Sequence, residues 1–200
     1  MRVFGTCLGL VACALVLAPP SAMARQLTIA TVTPQGVSCM FTPACAVTVT
    51  DTTGYFDLFG NNGHSKILVR TYPGLPGTRA AGLTGYSIFI DLKTSTALGM
   101  PNCVQKLTID TGPLAPLNYL GPPADVFVVG ASGGAGLASA VQNGSKVTFT
   151  FARPICPTPN SLTESLYFGF AAKGAPVAGT AEITGSLHGG TTVKIRVPQH

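Results

Sequence analysis

Apolar and polar side chains alternate with a period of two along much of this chain, most clearly over residues 146–156. Val147, Phe149 and Phe151 interleave with Lys146, Thr148 and Thr150, the pattern of a strand with one dry and one wet face. An Asn143-Gly144 turn leads into it, and Pro154, Cys156 and Pro157 end it. The same alternation predicts strands over 27–33, 46–51, 86–92, 104–110, 125–129, 165–170, 180–187 and 192–197. Residues 55–59 predict a short strand, and 66–72 one more buried on both faces. Residues 137–142 fit either a short strand or one helical turn.

Turn chemistry separates these runs. Pro34-Gln35-Gly36 ends the first strand, 60–63 is a Gly/Asn turn, and 73–77 is a Pro/Gly loop. Pro113, Pro116, Pro122 and Pro123 make 111–123 a long irregular connection, anchored by Tyr119 and Leu120. His188-Gly189-Gly190 turns one strand back on the next, with Val193, Ile195 and Val197 facing away from Lys194 and Arg196. About ten short strands at this spacing predict an all-β fold, a single-domain antiparallel β-sandwich.

Composition agrees. Hydrophobic residues are 46% and charged ones 10%, which argues against disorder, while 24 glycines and 16 prolines suit many tight turns. Two hundred residues allow one domain with a sizeable core. The first 24 residues are expected to leave: Met1-Arg2 is a positive start, 3–17 an apolar run, and Ala22-Met23-Ala24 an A-x-A cleavage site. The domain is then 25–200. The run is too short to span a membrane, and no second one follows. Leu10-Val11-Ala12-Cys13 resembles a bacterial lipobox, which would make Cys13 a lipid anchor; the apolar run continuing past Cys13 opposes this.

Four cysteines remain: Cys39, Cys45, Cys103 and Cys156. In an exported chain they read as two disulfides with three formal pairings, of which Cys39–Cys45 and Cys103–Cys156 are preferred. No CxxC exists and the histidines are scattered, so neither metal nor cofactor is expected. Asp51, Asp57 and His64 read as turn and strand-end groups. From Arg25 onward 11 basic residues face 7 acidic ones, a balance of +4 spread singly, which does not predict a nucleic-acid surface.

One stretch invites an enzymatic reading. Gly130-Ala131-Ser132-Gly133-Gly134 resembles the G-x-S-x-G nucleophile elbow of the α/β-hydrolases. That resemblance implies Ser132 as nucleophile, Glu164 or Glu182 as acid and His188 as base. Against it, the elbow helix would have only 137–142 before Asn143-Gly144, and no aspartate follows Ser132. Gly130, Gly134 and Gly136 are also similar to the cofactor loop of short-chain dehydrogenases, which would imply a nicotinamide cofactor. The Tyr-x-x-x-Lys of that family is missing, since Ala171 stands four places after Tyr167. A flexible glycine loop between strands accounts for the same residues.

Glycan binding is a further alternative, with Tyr55, Tyr72, Tyr86, Tyr119 and Tyr167 to stack on a sugar in a chain without tryptophan. The sequence therefore predicts a secreted or cell-surface, non-enzymatic bacterial module (with a periplasmic address as the alternative), with a structural or binding role. Its partner is an unidentified extracellular protein or polysaccharide.

Overall fold

The computed structural model describes residues 24–119, 121–130, 133–158, 161–187 and 189–200. The described chain begins with β1 (Arg25–Gln26) and β2 (Ile29–Val32), then the helix α1 (Pro34–Phe41). β3 (Thr50–Phe56), β4 (Asn61–Asn62), β5 (Ser65–Pro73), β6 (Thr84–Asp91) and β7 (Thr96–Ala97) follow. Next come β8 (Val104–Asp110), β9 (Leu117–Asn118), β10 (Pro123–Ala124) and β11 (Val126–Val129). The last five are β12 (Leu137–Asn143), β13 (Lys146–Ile155), β14 (Phe168–Ala172), β15 (Pro176–Gly185) and β16 (Gly190–Pro198). Five of these are two-residue pieces, which leaves about the expected number of full strands.

They build a sandwich of two six-stranded sheets. The first has the order β1-β12-β13-β8-β15-β16 and the second β2-β11-β14-β6-β5-β3. Alternation places one face of each strand inward: Val147, Phe149 and Phe151 of β13 meet Phe168 and Phe170 of β14 across a single core. Pairing is antiparallel except between β2 and β11, which run parallel, so the second sheet is mixed. At one corner β3 passes close to β16. A side chain on Gly54 would strike Val193 and the Lys194 carbonyl, and glycine lets the two sheet edges cover each other.

The run 27–33 is not one strand. β1 pairs with β12 of the first sheet and β2 with β11 of the second, so the chain crosses between sheets at Leu27-Thr28. Asp125 holds that crossing. Its carboxylate accepts from Arg25 Nη1 (3.0 Å) and from the Thr28 backbone N–H and hydroxyl (both 2.9 Å). Burial opposes its charge, but the Thr28 hydrogen bonds and Arg25 outweigh this and hold the carboxyl below its ordinary value. A depressed carboxyl contributes stability that is present above the unfolded value of ~3.9 and lost as pH falls through the folded one. Asp125→Asn is expected to cost about 2 kcal/mol at pH 7 and to shrink the acid-induced loss; urea titrations from pH 7 down to 2.5 measure both.

Two further expectations change, and the open reading of 137–142 is decided. Pro34-Gln35-Gly36 opens a helix rather than a turn: the Thr33 hydroxyl accepts from the Gly36 N–H, and proline sits in the first turn, where its missing N–H costs nothing. The predicted strand over 46–51 starts only at Thr50, and Val47 and Val49 instead pack against a second apolar cluster. Residues 137–142 are a strand, β12, because Ala140 is buried in the main core while the chain pairs with β13. Leu120, named as an anchor of the 111–123 connection, lies outside the described residues; Tyr119 is buried there.

The second cluster covers part of the outer face of the second sheet. Val37, Met40 and Phe41 of α1, spaced as one helical face, join Tyr72, Phe127 and Tyr119 over that sheet. Cys39 is bonded to Cys45, fastening α1 to the chain that follows, and Cys103 is bonded to Cys156. The latter ties the start of β8 to the end of β13, beyond the irregularity between Thr150 and Ile155 in their ladder.

Candidate functional site

Ser132 and His188 lie outside the described residues. Their neighbours place the remaining members of the proposed triad. Gly134 packs against the backbone of Ser165 and Leu166, and Ala135 bridges to Ser165, so the glycine loop borders Glu164. Glu164 is held by Lys93, its Oε1 lying 2.6 Å from the ammonium. Glu182 is exposed on β15 of the opposite sheet, in register with Thr108 and Thr192. Glu164 bridges Asp91 at the end of β6 in the second sheet, whereas Glu182 is on β15 of the first.

The tyrosines sort by burial. Tyr72, Tyr86 and Tyr119 are buried, whereas Tyr55 is 68% exposed near the end of β3, opposite Lys66. Tyr167 stacks on Phe89 with ring centroids 4.7 Å apart, and Arg70 lies over the Tyr167 ring at 5.6 Å. Its ring is thus flanked by protein groups, which argues against Tyr167 as an open sugar platform. Asp57 bonds His64 at 2.8 Å in an exposed pair, and Asp51 bonds Arg70. Among the described residues no three His, Cys, Asp or Glu side chains group as a metal site.

A cleft of about 240 Å³ lies on the outer face of the second sheet, beside α1. Register explains its floor. Arg70 on β5 is directly opposite Ser87 on β6, and Tyr72 is the next outward residue along β5. Pro34, Val37 and Ser38 of α1 form one wall; Val47, Val129 and Tyr167 complete the rim. The volume is below the roughly 300–1,000 Å³ of drug-sized sites and suits one ring or a short acyl chain.

The polar groups on this floor are unusual. Asp51 Oδ1 and Oδ2 accept from Arg70 Nε (2.9 Å) and Nη2 (3.0 Å), a two-point pair that fixes the guanidinium and leaves Nη1 outside it. The hydrogen bond from Arg70 lowers the Asp51 carboxyl, and the same bond raises the guanidinium. Tyr72 is only 2% exposed and sits over Gly85, where any side chain would strike its ring and that of Phe41. Its hydroxyl has Ser87 nearby but makes no well-formed hydrogen bond. Burial pushes this phenol up, so it remains a protonated donor.

Sequence reasoning weighed Tyr167 and Tyr72 as two of five tyrosines and did not single out Arg70 or Ser87. The signal for them is cross-strand register, which strand alternation alone does not carry. Set against models of known families, curated proteins and solved structures, the chain matches none, so no relative's chemistry transfers to the cleft.

Proposed function

We propose that the chain is an exported, non-enzymatic β-sandwich module that binds a small ligand in the cleft beside α1. One observation carries this reading: Tyr72, whose buried hydroxyl makes no well-formed hydrogen bond, lines a cleft together with Ser87 and Arg70. An unpaired buried hydroxyl costs about 1–3 kcal/mol, and a ligand acceptor offsets that cost. Export is supported by the A-x-A leader pattern and by two disulfides, bonds characteristic of oxidising compartments. Saturation-transfer NMR of the oxidised chain with a set of small aromatic fragments tests the cleft. Binding to the native chain that is lost in Val47→Trp, which fills the rim, supports it; equal binding to both chains overturns it.

The hydrolase reading keeps one observation in its favour, the proximity of the glycine loop to Glu164. Turnover of p-nitrophenyl acetate abolished by Ser132→Ala would establish it and replace the binding-module reading.

A further inference from the structure

Tyr72, Ser87 and Arg70 offer a donor set with a preferred kind of ligand. The Arg70 guanidinium only donates. Each hydroxyl can donate, and Tyr72 is held as a neutral phenol by burial. Arg70 and Ser87 are opposite one another, so their Cβ atoms lie ~5 Å apart, with Tyr72 ~7 Å along the strand. Three donor-bearing side chains that line one small cleft are best satisfied together by a group with more than two lone pairs. A carboxylate has about four such sites and an amide carbonyl two.

Two further features favour negative charge. The first turn of α1, Pro34 and Val37 included, forms the wall above this floor, and it contains no acidic residue to offset the positive end of the helix. Asp51 occupies the Nε and Nη2 side of Arg70, leaving the Nη1 hydrogens for a second acceptor. Most of the rest of the lining is apolar, with Pro34, Val37, Val47 and Val129 beside Ser38 and Tyr167.

Resting on that reading of the cleft, we propose that its ligand is a small apolar monocarboxylate, an aromatic or short branched acid. Its carboxylate accepts from Tyr72, Ser87 and Arg70, and its apolar body lies against the valines. The binding is non-covalent, and the acid enters ionised at neutral pH. Tyr72 is then the residue that separates ligand recognition from stability, because its hydroxyl, with Ser87 nearby, makes no well-formed hydrogen bond to lose.

Amide-detected NMR titrations with benzoate, benzamide and benzyl alcohol at pH 7 test this on the native chain, Tyr72→Phe, Ser87→Ala and Val47→Trp. Benzoate is expected to bind at least tenfold more tightly than the two neutral analogues. Tyr72→Phe should lose at least tenfold in benzoate affinity while its thermal midpoint stays equal or rises, and Ser87→Ala should lose affinity in the same direction. Equal binding of all three probes, abolished by Val47→Trp, overturns the carboxylate assignment and leaves the cleft as a ligand site. Probes that bind no better to the native chain than to Val47→Trp overturn the cleft itself.

Discussion

Phe149→Ala is expected to cost about 3–5 kcal/mol, a large share of the roughly 5–15 kcal/mol that holds a domain of this kind folded. Phe149 is completely buried at the middle of β13. Its ring reaches across the sandwich to Phe168 at 5.2 Å and Phe170 at 6.3 Å on β14, so it is a contact between sheets rather than within one. Truncation removes both ring contacts and leaves a cavity that paired backbone on either side cannot close. Equilibrium urea denaturation measures the loss through the midpoint. A shift equivalent to less than about 1 kcal/mol would mean that the two sheets do not pack through this ring.

Removing the Cys103–Cys156 bond has a comparable effect. The cysteines are 53 residues apart, and closing such a loop restricts the unfolded chain by about 4 kcal/mol on the chain-entropy account. The Cys39–Cys45 bond spans six residues and is worth about 2 kcal/mol on the same account. The double change Cys103→Ala with Cys156→Ala should therefore destabilise more than Cys39→Ala with Cys45→Ala. Urea midpoints of the two double variants decide the order. The reverse order would show that fastening α1 matters more than tying β8 to β13.

How far the sequence reveals this molecule depends on which physical signal each element carries. Residues 104–110 are read to their ends because one face is buried and the other wet, and the period-2 pattern records that difference. α1 was missed because proline and glycine together suggest a turn. Its true signals are the capping Thr33, proline in the first turn, and the helical spacing of Val37, Met40 and Phe41. Val47 and Val49 alternate as strand residues do, yet they cover a cluster instead of joining a described ladder, which composition cannot distinguish. The two disulfides follow the preferred pairing because each joins cysteines at the ends of neighbouring segments.

The cleft was legible only in fragments. Arg70 and Ser87 face one another through the β5–β6 register, and Tyr167 comes from the far side of the glycine loop. Nothing in the local patterns around these residues marks them as neighbours. Ser132, by contrast, stands out in sequence because glycine-rich motifs are easily recognised, although one candidate acid, Glu164, bridges the second sheet and the other, Glu182, is on the first.

The most direct test of the ligand site is a map of backbone amide shifts on addition of benzoate to the oxidised chain. Shifts confined to Val37, Ser38, Arg70, Ser87, Val129 and Tyr167 are the predicted result, since these amides surround the cleft beside α1. Shifts gathered instead on Gly133, Gly134, Glu164 and Ser165 would contradict it and place the binding site at the glycine loop.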